Sequence, residues 1–403
     1  MSSTPRFYFI DNLRCIALLL GVLFHAALAY SPYFHTIWLS ADPNKAFIFD
    51  GLTHWLHLFR MPLFFVIAGF CSALVIVKQG NTLFIKHRLK RILLPFLIFL
   101  PLVIASFIHV LSWGAEIAKP LPPIYAAFSA MTEPQVSTAH LWFLWLLMQF
   151  CLIHWSVSRA MSAFKAKLPL ITLPLFAWGP VLGLALVVIS FAALLWQPTP
   201  FPAPDKLSPQ PWALAFYGAF YVFGIILYHH KSALTRSAGA ILPLLLVAIL
   251  SLTAYLIYLT DPPTIEQVIA AAKQGALTPN GKQHVYIVAI QAVAIVSWTA
   301  LILLLGHHFL NHDNRISRYL SDASYWVYLV HVPVLLYIQM PLISVTLPAG
   351  IKFFISVAAT MGVSLLSYHF VVRRTVIGRL LNGNKQKVMQ QSGIRGSKRA
   401  VTK

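Results

Sequence analysis

Ten runs of predominantly apolar residues follow one another along the chain, each close to the ~20-residue length that spans the hydrocarbon of a bilayer as a helix. They lie near 9–31, 58–77, 92–112, 140–157, 171–196, 211–229, 239–259, 285–306, 319–340 and 350–372. A segment surrounded by lipid must satisfy its own backbone hydrogen bonds, and continuous apolar runs of this length do so as helices. The expectation is an all-α polytopic membrane protein of about ten transmembrane helices. Composition agrees: with 59% hydrophobic and only 10% charged residues among 403, the chain has more apolar surface than a soluble protein could hide. The fifth run is long enough to lie tilted or partly at the interface. Pro180 and Pro333, inside the fifth and ninth runs, predict local kinks that neighbouring helices tolerate.

Charge fixes the expected orientation. With an even number of spans the two ends share a side, and that side carries most of the 30 Lys and Arg but few of the 10 acidic residues. The positive-inside rule makes it cytoplasmic, which predicts an integral protein of the bacterial cytoplasmic (inner) membrane with both termini inside. The net charge of +20 then reports topology and contact with anionic membrane lipids, and calls for no nucleic-acid partner. Residues 379–403 are polar and basic without an apolar period, and are expected to form a disordered cytoplasmic tail behind a single membrane domain, 1–378. Cys15, Cys71 and Cys151 all fall in apolar runs, which argues against disulfides and suggests no metal site. The first run is not expected to be a cleaved leader, because Asp11 and Arg14 stand at its entrance and no small-residue cleavage site follows it.

Ionisable side chains inside such runs are costly and are kept beside partners or a wet cavity. The first span carries two, in RCIALLLGVLFH (Arg14 to His25). On a helix they are ~1,100° apart in phase, within about 20° of three full turns, so they share a face roughly 16 Å apart along the axis. Asp11 and Gly21 lie on the same stripe. Asp11 can partly neutralise Arg14 at i,i+3, and Gly21 allows close approach to the backbone. A snorkelling arginine and a hydrogen-bonded core histidine would also explain the pair. Other spans weigh against that reading. HWLHLFRMPLFFVIAGF brings His54, His57 and Arg60 to the outer boundary, HLWFLWLL brings His140 there, and SYWVYLVHVPV puts His331 at mid-membrane. Each alone suits headgroup depth as an anchor. Together they suggest a proton-handling or ligand-binding cavity. On the cytoplasmic side KHRLKR sets Arg88 and Arg91 at i,i+3, a spacing at which two guanidinium forks can hold phosphate, although ordinary positive-inside charge would look the same.

These motifs, in this order, resemble the integral-membrane acyltransferase family 3. Arginine and histidine separated as Arg14 and His25 are resemble its first-span signature. FFVIAG (Phe64 to Gly69) is similar to its FFxxSG motif with Ala68 in place of serine, and RLKR (Arg88 to Arg91) is similar to its RxxR motif. The resemblance implies an O-acyltransferase that takes an acyl group, succinyl or acetyl, from cytoplasmic acyl-CoA and delivers it to a hydroxyl of an extracytoplasmic glycan, with no permanently bound cofactor. It implies donor phosphates on Arg88 and Arg91, His25 as general base, and Arg14 and Asp11 organising the donor entrance. His331 becomes a second proton-handling group or a polariser of the thioester carbonyl. His57, Arg60 and His140 would line the acceptor side, with Arg60 able to hold a carboxylate such as succinyl, or a glycan group. A proton-coupled secondary transporter is the alternative, against which stands the lack of a matched pair of broken helices in inverted halves. A non-catalytic membrane subunit is the third reading.

Overall fold

Each apolar run holds a helix in the computed structural model, which describes residues 7–131, 137–164, 175–274, 282–313 and 315–382. Helix α1 (Tyr8–Leu28) and the long α2 (Ile48–Gln79) are followed by α3 (Asn81–Arg88), which passes through one π turn, Leu89–Leu93, into α4 (Leu94–Ile117). A short α5 (Ile124–Ala130) precedes α6 (Trp142–Ala163), itself entered through a 3₁₀ turn at Ala139–Leu141. Next come α7 (Leu175–Leu194), α8 (Pro211–His229), the short α9 (Ser232–Arg236), α10 (Ile241–Ile257) and α11 (Ile265–Gln274). The chain closes with α12 (Lys282–Phe309), α13 (Arg315–Ile343), α14 (Ala349–Ser367) with a second π turn at Tyr368–Val372, and α15 (Val376–Asn382). Among the described residues nine helical stretches are long and apolar enough to cross a membrane, and α7 adds a shorter apolar stretch, Gly179–Leu194. The protein is thus an all-α integral membrane protein of roughly ten spans. Residues 171–174 of the fifth expected span, and 383–403 of the expected tail, lie outside the described residues.

The loops segregate to two ends of the bundle, as alternating spans require. At one end Asn12 donates to the carbonyls of Leu310 (2.6 Å) and His312 (3.1 Å), and Asn382 donates to that of Asp322 (2.8 Å). This end also carries the basic KHRLKR segment and is called the basic end below. At the opposite end Tyr33 donates to the Thr199 carbonyl (3.0 Å) and Thr36 to that of Pro263 (2.8 Å). Burial separates core from periphery: 72% of the most apolar window of α12 is buried, against 17% for the span containing α10. The side chains left bare, such as Leu102, Leu246, Leu250 and Phe354, would be a liability in water and suit a lipid-facing belt.

Two features fix the frame of the cavity. The first is the contact of α2 with α8, where Gly69 faces the Tyr221 carbonyl and Gly224 faces that of Val66 so closely that any Cβ would collide with backbone. Lipid offers no hydrophobic drive between helices, so small residues that let backbones touch supply the packing instead. The second is the strap of residues 29–47 between α1 and α2. Asp42 on the strap pairs with Lys352 of α14 at 2.7 Å, with side chains 2% and 0% exposed. Ser40 donates to Gln339 Oε1 (2.7 Å), and the Gln339 amide donates to the Ala26 carbonyl (3.1 Å), next to His25. Asp50 accepts from the Ser31 hydroxyl and from the Tyr33 backbone N–H. The strap is therefore bonded into the bundle by buried polar contacts along its length.

Candidate active site

A cavity of about 970 Å³ runs through the bundle from Arg14, Arg88 and Arg91 at the basic end, past His25, to Thr199, Asp261 and Gln267 at the opposite end. Local sequence shapes its basic mouth. Pro95 has no N–H with which to bond the carbonyl of Arg91, one turn earlier. Tyr325 of α13 supplies the missing donor, at 2.7 Å, and so ties the π turn that follows Arg88 to the opposite wall. The Arg88 guanidinium donates to Ser72 Oγ (3.2 Å) and lies over the Phe84 ring (5.1 Å), while its Nε is buried without a partner. Arg14 donates to Ser321 Oγ (2.7 Å) and stands 4.0 Å from Asp11. Asp11 does not itself line the cavity; it acts on the mouth through Arg14.

At the waist, Gly21 leaves room for a cation. A Cβ there would stand 2.9 Å from Nη1 of Arg60, so the guanidinium occupies the space that a side chain on α1 would take. Arg60 is only 8% exposed, lies over the Phe24 ring at 4.5 Å, and has its Nε buried without a partner among the described residues. Among the described residues it forms no salt bridge. A buried guanidinium without a counter-charge is costly unless an anion or several acceptors reach it, which makes this position a binding site in waiting. His57, on the same helix, stacks on Phe24 (ring centroids 5.7 Å apart) and donates Nε2–H to the Phe201 carbonyl at 2.9 Å.

Three imidazoles meet beside Arg60. His25 of α1 and His331 of α13 have ring centroids 5.3 Å apart, and His331 and His140 are 5.4 Å apart. The proline in YLVHVP orients the last of these. Pro333 cannot donate to the Leu329 carbonyl, one turn back, and His140 Nε2–H bonds that freed oxygen at 3.1 Å. His331 Nδ1 faces the carbonyls of Tyr328 (2.8 Å) and Val327 (3.2 Å). Carbonyls only accept, so Nδ1 of His331 and Nε2 of His140 carry the protons of the neutral rings. The lone pairs then sit on His331 Nε2 and His140 Nδ1, both buried and unpartnered among the described residues. Among the described residues His25 has no such backbone tether, and its buried Nδ1 has no partner either. Trp38 of the strap stacks on His25 (5.7 Å, 23°) and closes that flank. One cavity thus holds phosphate-suited cations at one mouth, unpartnered imidazole nitrogens at its waist, and a route onward to the other end.

A family model described as an acyltransferase domain, of the third acyltransferase family, matches residues 7–369. The chain belongs to acyltransferase family 3. It is similar along 97% of its length to proteins called "Glucans biosynthesis protein C", of which 99% is covered: that of Salmonella paratyphi B is 25% identical over 406 residues, and that of Salmonella heidelberg 26% over 411. No solved structure matches the chain. The protein is an acyltransferase of the membrane, and the cavity is its candidate active site.

Of the residues that the sequence singles out in this acyltransferase, Arg14, His25, His57, Arg60, Arg88, Arg91, His140 and His331 all line the one cavity. His54 does not; it is 1% exposed and spends Nδ1–H on the Asp50 carbonyl of its own helix (2.8 Å). Sequence reading misses Trp38, because the strap looks like a connector between spans. It also misses Tyr325 and Ser321, ordinary-looking polar residues on a membrane helix. The i,i+4 placing of Leu329 before Pro333 and of Arg91 before Pro95 was a usable signal: each proline frees a carbonyl that some donor must find.

Proposed function

We propose that this acyltransferase moves an acyl group, succinyl or acetyl, from cytoplasmic acyl-CoA to a hydroxyl of an extracytoplasmic glycan, with His25 as general base. The observation that carries the reading is the single cavity joining Arg88 and Arg91 to His25 and then to the opposite end. The excess of basic residues at the end holding Arg88 and Arg91 supports a cytoplasmic assignment for that end and for both termini. The name of the Salmonella relatives supports a glucan as the acceptor. Arg88 and Arg91 hold the donor's phosphates by charge-assisted hydrogen bonds, and Arg14 and Asp11 order the mouth. The thioester then reaches His25 along α1. The acceptor hydroxyl adds to the thioester carbonyl carbon as His25 takes its proton. The tetrahedral intermediate collapses with breakage of the C–S bond, and the imidazolium returns the proton to the departing thiolate. Arg60 holds a carboxylate on the acyl group, as in succinyl, or a group of the glycan. His57 and His140 line its acceptor side. His331, one ring away from His25, polarises the thioester carbonyl or shares the proton.

The test is acyl transfer by purified wild type and His25→Gln, from acyl-CoA to a gluco-oligosaccharide, followed by mass spectrometry. Glutamine keeps polarity but takes no proton at neutral pH, so transfer should fall ~10²–10⁴-fold with insertion and acyl-CoA binding retained. Near-wild-type transfer by His25→Gln would remove the base assignment. Proton-driven oligosaccharide uptake into liposomes, without acyl-CoA turnover, would favour the transporter reading instead. The mass added to the oligosaccharide distinguishes succinyl from acetyl.

A further inference from the structure

Charge in the cavity is sorted by depth. Arg14, Arg88 and Arg91 stand at the basic mouth and Arg60 at the waist, while the carboxylate among the lining residues, Asp261, is at the opposite mouth. Asp261 is exposed and forms no salt bridge among the described residues. It follows α10 and leads into α11, which roofs this mouth. Helix α11 uses its apolar face, Ile265, Val268 and Ile269, against Ile124 and Ala127 of α5. Its other face gives the cavity Gln267, Ala270 and Ala271. Thr264 and Gln267 form a capping box: Gln267 Oε1 accepts the Thr264 N–H (3.0 Å), which holds the amide in place and leaves its NH₂ as a donor. Across the mouth Thr199 contributes a buried hydroxyl with no partner among the described residues, while Phe201 is buried against His57 and Phe216.

A carboxylate, a fixed amide and a hydroxyl beside the small residues Ala270 and Ala271 suit a polyhydroxylated ligand. Sugar hydroxyls donate to the carboxylate and accept from the amide, while a ring's C–H face packs on apolar surface. The same carboxylate disfavours an anion within about a Debye length, ~8–10 Å, of it. We propose that the mouth beneath α11 is a binding site for an uncharged sugar chain, gripped by Asp261 and Gln267, and that it selects neutral over acidic glycans before the hydroxyl reaches His25. The site deepens the acceptor half of the function proposed above and rests on that reading. It sorts the two substrates by charge: the anionic donor is drawn to the arginine mouth, and the neutral acceptor to the acidic one.

The experiment is calorimetric binding to the full chain in nanodiscs, without donor, of a neutral gluco-oligosaccharide and of the same oligosaccharide bearing carboxylates. Wild type should bind the neutral ligand more tightly. Asp261→Ala/Gln267→Ala should weaken that binding about tenfold, as loss of one or two good hydrogen bonds would. Asp261→Lys should shift preference toward the carboxylated ligand. Ala271→Trp, one turn beyond Gln267 on the same face of α11, fills the mouth and should abolish binding of both. Equal affinity of wild type and the double variant for the neutral ligand, preference of wild type for the carboxylated one, or no binding by wild type would overturn the proposal. Acyl-CoA binding, measured separately on the same preparations, reports on the donor reading alone. Its absence in wild type would strike the proposed reaction, while the oligosaccharide measurements still decide the site.

Discussion

At the scale of single residues, the site is built from groups whose backbone partners were removed by proline. Pro333 frees the Leu329 carbonyl that orients His140, and Pro95 frees the Arg91 carbonyl that Tyr325 holds. Prolines in membrane helices are usually discussed as kinks; here each also creates an acceptor that a side chain of the site uses. Pro333→Ala should therefore cost activity without costing fold. The new N–H competes for the Leu329 oxygen, and a hydrogen bond net worth of about 0.5–1.5 kcal/mol suggests a roughly 3- to 10-fold loss of transfer rate. Thermal stability in detergent should be unchanged or raised, since a helix interior gains a bond. An unaltered rate would mean that His140 needs no such tether.

At the scale of elements, the contact between α2 and α8 decides whether the cavity walls stay in register. Arg60, Ala68 and Cys71, which face the cavity, ride on the same helix whose Gly69 touches α8. Gly69→Ala should force the two backbones apart, with about 1–3 kcal/mol of overpacking. The melting temperature in detergent should fall, and Gly224→Ala should behave alike because it faces the reciprocal carbonyl. Melting at the wild-type temperature in both would show that the pair has slack the geometry does not suggest. The helices themselves were legible from apolar run length, as was the shared face of Arg14 and His25, because a 3.6-residue period fixes both. The strap was not. Its ordering depends on Asp42 reaching Lys352, and Ser40 reaching Gln339, side chains that lie far along the chain and leave no periodic trace. For the same reason Arg60 could be read from FRMPLFF as a boundary residue, but not as the guanidinium that fills the space beside Gly21.

At the scale of the whole molecule, the two mouths should respond to different mutations. Arg88→Ala/Arg91→Ala should raise the acyl-CoA dissociation constant ~10-fold or more, since charge-assisted bonds contribute about 1.5–3 kcal/mol each. Lysine replacements should recover part of it, lacking the bidentate fork. Arg60→Ala should leave binding of an acyl-CoA whose acyl group carries no carboxylate near normal and impair transfer. Calorimetry with a non-hydrolysable acyl-CoA checks both, and unchanged affinity in the double variant would return RLKR to a topological role. A shaft with polar groups at both mouths and at its waist raises a further matter, because the membrane around it must hold an electrochemical gradient. Left open, such a shaft would drain it. Phe24, Trp38 and the imidazoles line its waist, and the guanidinium of Arg60, neutralised by no salt bridge among the described residues, would raise an electrostatic barrier to protons and other cations. The fixed positive charge proposed to hold a substrate group would then also insulate the membrane between turnovers.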